Sequence, residues 1–453
     1  MVLAKRGKGP AIHHIIGVGE PDEKTAKLIE LLKHKDKLER LNLPLGEFVS
    51  YTSGFFSKYL DDTGARLSLN KETAELAMKK QAFSHYMLDM LLYGRSLFDP
   101  AFKNNIIFRS GDFTSAGTGL NSSETIMEDF LPLMDECLFL KKAETSIKKV
   151  LASDFSEKTA LFKDFKGIPR EQNCGIIMMP YYAKFVAINK PLESGAFINI
   201  IGDGKGKYLV SAYIGGLVPS SMLTDKPSDA LTDLSNRCFG IAGKCKGVQR
   251  YQDLASHGDY FNQQMNELFS ISGPAYFELV KYDTSNPTNI IVQYHPINLP
   301  ILAKPAFGQK DLLAKADMII GTSSGVAKGA NIVDSYPSDN DRAFNAENRG
   351  YLLFIDCLNL DYMKHLYLPE FSNAALVWIN ITSLSNKELH THLNGIIRET
   401  GIPFILTKNA DVKGKLNENG EYVFYADEFN RDGFVALAPR EKDRKNFFQR
   451  LLG

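Results

Sequence analysis

The stretch that decides how this sequence is interpreted is Thr391-His392-Leu393-Asn394-Gly395-Ile396-Ile397-Arg398-Glu399-Thr400-Gly401-Ile402-Pro403. It predicts a helix that ends at Gly401, because glycine commonly terminates helices and Pro403 prevents extension. His392 stands at the front of this helix. Neutral imidazole is a nucleophile at physiological pH, and the amino end of a helix favours an anion. The stretch therefore indicates a histidine that can accept a phosphoryl group.

The same stretch resembles the phosphohistidine signature of the phosphoenolpyruvate-utilising enzymes, the family of pyruvate phosphate dikinase, phosphoenolpyruvate synthase and rifampin phosphotransferase. The spacing from His392 to Arg398-Glu399 is kept, and so is the Gly-Ile-Pro ending. Leu393 and Asn394 replace the usual Ala-Ala. The resemblance implies that His392 is the catalytic residue and carries the phosphoryl group as phosphohistidine.

Bulk composition excludes several classes of protein. The 453 residues suggest about two to four domains, with 44% hydrophobic residues for their cores. The sequence has 53 basic and 53 acidic residues, so it carries no net positive charge that would attract nucleic acid. No apolar run is long enough to span a bilayer, and the five cysteines show no metal-ligand spacing. We expect a cytoplasmic protein without nucleic-acid or membrane partners.

Near the amino end, a short strand around Ile12–Gly17 precedes an amphipathic helix that starts at about Asp22. This helix resembles the Gly-Gly-Lys-x-x-x-Leu-x-x-Leu start of the family's ATP-grasp domain, with Lys24 on the lysine. A lysine at a helix start is unfavourable unless an anion compensates it. The resemblance implies that Lys24 contacts nucleotide phosphate.

The run Asn105–Ser110 predicts a strand that ends in Arg109-Ser110. It resembles the family's Val-Arg-Ser-Ser segment, whose arginine contacts nucleotide phosphate. Arginine suits this task because its planar fork binds phosphate oxygens bidentately. The small-residue segment Thr114–Gly119 resembles the loop that covers the nucleotide, although the acidic pair that usually precedes it is missing.

Two further strand runs, Phe277–Val280 and Ile290–Pro296, flank a turn rich in Asn and Pro. They resemble the family's Glu-x-x-(hairpin)-Ile-x-Gln-x-Arg-Pro segment. The resemblance implies that Glu278 and Gln293 bind Mg²⁺ and thereby the ATP phosphates, which suits a cation that prefers hard oxygen ligands. His295 stands where the family has arginine, and Met179 stands where it has glutamine.

Two shorter patterns have local interpretations. Gly202-Asp203-Gly204-Lys205-Gly206-Lys207 lies between two strand runs and predicts a hairpin turn rather than a phosphate loop, since no Lys-Ser/Thr and no helix follow. Asp154 or Ser156 could cap a new helix that begins after Ser153.

The predicted fold class is α/β and α+β multidomain: an ATP-grasp nucleotide-binding domain followed by a swivelling β/α phosphohistidine domain. We place the first domain at residues 1–300, with lobes at about 1–165 and 166–300, and a Pro-rich linker at 301–315. The swivelling domain occupies 316–440, and a basic tail occupies 441–453.

The implied function is an ATP-dependent phosphotransferase of the dikinase type. It uses ATP and Mg²⁺ and passes a phosphoryl group through His392 to an unknown acceptor, with AMP and phosphate as by-products. We expect no counterpart of the family's third, acceptor-binding domain in this sequence. Either a partner protein then supplies the acceptor site, or a small acceptor binds between these two domains.

Two alternatives stay open at this point. The first is a degenerate nucleotide-binding pseudoenzyme that acts as a scaffold or regulatory subunit, favoured by the missing acidic pair, Met179 and His295. The second is a simple ATP-grasp ligase, which would release ADP and have no need of His392.

Overall fold

A computed structural model describes residues 13–17, 22–68, 70–98, 103, 105–111, 123–127, 135–156, 159–160, 163, 169–182, 196–214, 222–242, 257–281, 289–297, 299, 302, 304–305, 307–333, 350–356, 374–381 and 402–438. The chain divides into two compact units, Met1–Pro296 and Ile297–Gly453. Unit 1 combines α-helices with two sheets, and unit 2 contains two further sheets, so the structure is mixed α/β with several sheets.

The first sheet of unit 1 has the strand order β1-β2-β5-β3-β4. Its strands are β1 (His13–Ile16), β2 (Phe48–Tyr51), β3 (Asn105–Ser110), β4 (Ser123–Met127) and β5 (Ile176–Pro180). β1 pairs with β2 in parallel, and the other pairs are antiparallel. The predicted strands near residues 12–17 and 105–110 are confirmed, and β5 takes up the apolar run that follows Gly175.

The described helices of unit 1 include the amphipathic helix predicted to start at about Asp22, which begins at Glu23. They are α1 (Glu23–Leu32), α2 (Lys35–Arg40), α3 (Ser53–Asp62), α4 (Lys71–Lys79), α5 (His85–Leu97), α6 (Glu136–Ser153), α7 (Pro227–Ala242) and α8 (Gly258–Ser272). None of them is long and apolar enough to cross a membrane. Helices α3 to α6 share a core with one face of the first sheet, including Val49, Phe108 and Met178.

The second sheet of unit 1 has the order β10-β9-β6-β7-β8 and is antiparallel throughout. Its strands are β6 (Ala196–Gly202), β7 (Tyr208–Ile214), β8 (Met222–Thr224), β9 (Ala275–Lys281) and β10 (Asn289–Pro296). The predicted hairpin joins β6 to β7. Gly204 and Gly206 adopt φ of 70° and 93° there, a region that glycine enters without steric cost.

Residues from the amino-terminal segment join the core of the second sheet. Leu28, Leu43 and Phe48 lie in one buried cluster with Phe277 and Tyr294. The backbone at residues 44–46 bonds to β10, since Ile291 N donates to the Pro44 carbonyl and Gly46 N donates to the Ile291 carbonyl, at 2.9 and 2.8 Å. This segment therefore holds α1 beside β10 and continues into β2 of the first sheet.

Unit 2 contains two sheets. One is an antiparallel sheet of order β11-β19-β18-β13, and the other has the order β12-β17-β16-β15-β14, in which β14 to β17 are parallel. Their strands are β11 (Leu312–Lys315), β12 (Met318–Ile320), β13 (Thr322–Lys328), β14 (Ala330–Val333), β15 (Tyr351–Asp356), β16 (Ala374–Ile381), β17 (Phe404–Lys408), β18 (Glu421–Asp427) and β19 (Asp432–Leu437).

Candidate functional site

Strand alternation decides where the Arg109 side chain goes. Ile106 and Phe108 on β3 are fully buried in the core that α3 to α6 form with the first sheet. Successive side chains of a strand point to opposite faces, so Arg109 emerges on the other face, together with Ile107. Ile107 packs against the core of the second sheet. Arg109 is thereby directed towards β9 and β10.

Arg109 meets the two predicted metal ligands at this face. Its Nη2 donates to Glu278 Oε2 at 3.1 Å and to Gln293 Oε1 at 2.8 Å. These partners lie 169 and 184 positions away in the sequence. Arg109 and Glu278 are 22% and 15% exposed, so the pair is partly shielded from water.

Burial and the Glu278 carboxylate act on the pKa of Arg109 in opposite directions. Burial disfavours the charged guanidinium and by itself lowers the pKa of Arg109, but the charge and hydrogen bond of Glu278, with a smaller contribution from Tyr276, raise the pKa above its ordinary value. Burial and the charge of Glu278 also raise the pKa of Tyr181, which follows β5 directly. Both aromatic residues therefore lie within electrostatic reach of the site.

The register of the second sheet places a polar row across four neighbouring strands. Gln293 on β10 faces Glu278 on β9, Glu278 faces Asn199 on β6, and Asn199 faces Ser211 on β7. Most of the neighbouring side chains are apolar: Phe277 and Leu279, which flank Glu278, and Ile198 and Ile200, which flank Asn199, are fully buried. The row is a band of oxygen-bearing side chains in an otherwise apolar sheet.

Asn199 extends the row beyond the residues that the sequence singled out. Its Oδ1 is inaccessible to solvent, and within the described part of the chain it has no hydrogen-bond partner. Directly opposed residues of an antiparallel pair have Cβ atoms about 4.5–5.5 Å apart. The Asn199 amide therefore lies next to the Glu278 carboxylate.

Lys24 reaches the same region from α1. The first turn of α1 is tied to the end of β3, because Lys24 N donates to the Gly111 carbonyl at 3.4 Å and Lys24 Nζ donates to the Ser110 carbonyl at 3.4 Å. Ser110 directly follows Arg109. The structure thus brings Arg109, Glu278 and Gln293 into direct contact and ties Lys24 to the residue next to Arg109, although these four residues were predicted from three separate motifs.

His295 also has a defined partner. Lys27 Nζ lies 2.6 Å from His295 Nδ1, and Lys27 follows Lys24 by one turn of α1. Residues three positions apart share a helix face. Lys27 was not among the residues that the sequence analysis selected, although its spacing from Lys24 was a usable signal.

The donor set suits a small divalent cation. Glu278 Oε2 and Gln293 Oε1 share one nitrogen donor, so the two oxygens lie close together. A carboxylate and an amide oxygen are hard ligands of the kind that Mg²⁺ takes in small number, with water and substrate phosphates completing its coordination. In the described residues no three His, Cys, Asp or Glu side chains form a metal-binding group, so a site here would depend on the amide oxygens.

Other predicted features have separate outcomes. His392 with its helix, and the segment Thr114–Gly119, lie outside the described residues. Met179 is buried in the core beside Ile177 and offers no polar group to the site. Of the two candidate caps for the helix predicted after Ser153, Ser156 forms the capping bond: its Oγ accepts from Thr159 N at 3.2 Å.

Comparison with known proteins adds no relative: no protein-family model matches the sequence, and no curated protein matches it with significance.

Proposed function

We propose that this protein is an ATP-dependent phosphotransferase of the dikinase type. In this proposal unit 1 is an ATP-grasp domain, unit 2 is a phosphohistidine domain, and His392 carries a phosphoryl group from ATP to an acceptor. One observation carries the proposal: Arg109 hydrogen-bonds both Glu278 and Gln293. The sequence resemblance implies nucleotide and metal binding for these three residues independently of their proximity in the structure.

The charges at the site suit a polyphosphate. Lys24, Lys27 and Arg109 supply three cations, and the Glu278 carboxylate neutralises part of that charge. Glu278 and Gln293 would hold Mg²⁺, which when bound supplies further positive charge to the phosphates. Positioning and charge stabilisation are the main contributions of a protein to phosphoryl transfer.

The chemistry assigned to His392 is a nucleophilic displacement. An imidazole nitrogen attacks the β-phosphorus of ATP, the bond from that phosphorus to the α-phosphate oxygen breaks, and AMP leaves. Water then takes the γ-phosphoryl group, which is released as phosphate, and one phosphoryl group stays on the histidine. The covalent intermediate divides a difficult transfer into easier steps.

A nucleotide-binding pseudoenzyme is the second candidate. The observation that favours it is again the hydrogen bonding of Arg109, because its guanidinium donates to the same two oxygens that the metal ion requires. If Arg109 keeps these bonds when nucleotide binds, the protein holds nucleotide without the metal-dependent chemistry.

A labelling experiment separates the candidates. The protein is incubated with Mg²⁺ and ATP labelled with ³²P at the β position, and in parallel with ATP labelled at the γ position. We expect acid-labile, base-stable label from the β position only, with release of AMP and phosphate. His392→Ala should bind nucleotide and take no label, whereas the control His85→Ala, at an exposed histidine, should label normally.

Each other outcome has a defined meaning. Nucleotide binding without label in the wild-type protein supports the pseudoenzyme. Release of ADP that survives His392→Ala supports a simple ATP-grasp ligase. Full labelling of Arg109→Met, with its fold verified by circular dichroism, would contradict the assignment of the nucleotide site.

A further inference from the structure

The hydrogen bonds of the Arg109 side chain use one of its three nitrogens. Nη2 donates to Gln293 Oε1 at 2.8 Å and to Glu278 Oε2 at 3.1 Å. A guanidinium carries five N–H donors, of which Nη2 holds two. Within the described residues Nη1 and Nε make no hydrogen bond, and the side chain is 22% exposed. Arg109 therefore has donors left for an anion while it holds Glu278 and Gln293.

The two oxygens that Arg109 holds are those that the proposed function gives to Mg²⁺. Mg²⁺ lies about 2.1 Å from its oxygen ligands, so an ion on Gln293 Oε1 would lie within about 5 Å of Arg109 Nη2. The guanidinium keeps its charge at any physiological pH. Two cations at this distance repel each other, and the partial shielding from water strengthens the repulsion. Arg109 therefore opposes the binding of a free metal ion.

A phosphate group on Arg109 would remove this opposition. Arginine binds phosphate oxygens with its planar fork, and the phosphate charge offsets that of the guanidinium. Phosphate oxygens also serve as ligands of Mg²⁺. Because coupling between two ligands is reciprocal, the metal ion and the polyphosphate should each raise the affinity for the other.

Resting on the proposed function, we propose that Arg109 excludes free divalent cations from Glu278 and Gln293 and admits them only together with a polyphosphate. The ligand class is a metal–polyphosphate complex, and Arg109 determines this specificity because it contacts both the metal ligands and the phosphates. A residue that contacted phosphate alone would have no effect on a free metal ion.

Titration of the full-length protein with Mn²⁺ in the absence of nucleotide, followed by electron paramagnetic resonance, tests the exclusion. Mn²⁺ is paramagnetic and takes the same oxygen ligands as Mg²⁺. We expect Arg109→Met to bind Mn²⁺ at least about tenfold more tightly than the wild type, because the repelling charge is gone. Arg109→Lys keeps the charge and should stay within about threefold of the wild type. Arg40→Met, at an exposed arginine of α2, is the matched control and should leave the Mn²⁺ affinity unchanged.

A double variant locates the Mn²⁺ site. Arg109→Met/Glu278→Gln should lose the affinity that Arg109→Met gains, because it lacks the anionic ligand. A double variant that keeps the gain would show that the ion binds elsewhere and would overturn the inference. If circular dichroism shows that Arg109→Met does not fold, Arg109→Gln takes its place in both experiments.

Calorimetric titration with α,β-methylene-ATP, which resists the proposed cleavage, tests the coupling. Mg²⁺ should tighten the binding of this analogue to the wild type at least about tenfold. Arg109→Met should bind the Mg²⁺ complex about 10- to 100-fold more weakly than the wild type, as for loss of a charge-assisted hydrogen bond. One variant thus gains affinity for the free ion and loses affinity for the complex, whereas general damage to the site weakens both.

The two proposals fail in different ways. If the wild type binds the Mg²⁺ complex of the analogue while Arg109→Met binds free Mn²⁺ no more tightly than the wild type, the exclusion by Arg109 is wrong and the nucleotide site stands. If the folded wild-type protein does not bind the analogue, both proposals are wrong. Equal gains of Mn²⁺ affinity in Arg109→Met and Arg109→Lys would overturn the role of the charge.

Discussion

Arg109 Nη2 donates to Gln293 Oε1 at 2.8 Å, although 184 positions separate the two residues. The same nitrogen donates to Glu278 Oε2 at 3.1 Å, so one guanidinium ties β3 of the first sheet to β9 and β10 of the second. Two core residues of β3, Ile106 and Phe108, hold the strand in the register that makes this contact. The site is therefore built by the packing of two sheets.

Glu278→Gln tests the charge of this site separately from its shape. Glutamine can still accept from Arg109, and the pair is partly exposed, so we expect the free energy of unfolding to change by no more than about 1 kcal/mol. Nucleotide binding should require a higher Mg²⁺ concentration in this variant. The apparent affinity for Mg²⁺ should fall at least about tenfold because the anionic ligand is gone. Urea unfolding and Mg²⁺ titration at fixed nucleotide measure the two quantities.

Glu72→Gln is the control for that variant, since Glu72 is an exposed carboxylate on α4. It should leave both quantities unchanged. An unaltered Mg²⁺ affinity in Glu278→Gln would exclude Glu278 as a metal ligand.

Asn199→Asp tests the polar row of the second sheet. The new carboxylate would directly face Glu278, and like charges directly opposed across strands are destabilising. We expect a loss of about 1 kcal/mol of unfolding free energy without metal and recovery of this loss when Mg²⁺ is added. Asn199→Ser, which adds no charge, should show no such recovery. Equal Mg²⁺ responses of the two variants in thermal denaturation would argue against a cation beside Asn199.

The buried ion pair between Lys163 and Asp154 predicts a stability effect away from the site. Lys163 Nζ lies 3.0 Å from Asp154 Oδ2 and also donates to the Gln172 carbonyl at 2.6 Å, with both side chains almost fully buried. Lys163→Met leaves the carboxylate buried without its cation and should cost about 3–5 kcal/mol. Urea unfolding measures the loss, and Lys58→Met, at an exposed lysine of α3, should have almost no effect.

A double variant identifies the cause of that loss. Asp154 Oδ2 also accepts from Cys174 N at 3.1 Å, and an asparagine at position 154 keeps this bond while removing the charge. Lys163→Met/Asp154→Asn should therefore be more stable than Lys163→Met alone. If it is less stable, the uncompensated charge is not the source of the cost.

Tyr208 predicts a pH dependence at alkaline pH. Its hydroxyl donates to Asn266 Oδ1 at 2.5 Å, and burial, with the charge of Asp203, raises its pKa from 10.0 to about 12. The folded state thus holds this proton more tightly than the unfolded state. The contribution of Tyr208 to the free energy of unfolding is therefore fully present below pH 10, and it is lost as the pH rises from about 10 through 12.

Tyr208→Phe removes this group and should flatten that part of the pH profile. Because one pKa unit corresponds to about 1.4 kcal/mol, the stability difference between wild type and variant should shrink by up to about 2–3 kcal/mol between pH 9 and pH 12. Urea unfolding at a series of pH values measures it. A constant difference across this range would show that the hydroxyl does not titrate with folding.

Much of the local structure could be predicted because its causes are local. The alternating and β-branched run at 105–110 became β3, the runs around Glu278 and Gln293 became β9 and β10, and Gly202–Lys207 became a hairpin turn. The cap after Ser153 could not be decided locally, because Asp154 and Ser156 are both good caps. The buried Lys163, from nine positions away, binds Asp154, and Ser156 caps the next turn.

The sequence by itself determined which chemistry each segment could offer: a strand ending in arginine, a carboxylate and an amide on two strands, and lysines on the first helix. Only the tertiary structure decided that these groups meet, since strand pairing and sheet packing join positions that no local pattern relates. Register added Asn199 to the row, and the packing of α1 against β10 brought Lys27 to His295. The physical reason is that side-chain periodicity sets the face on which a residue lies, whereas burial of shared apolar surface sets which faces come together.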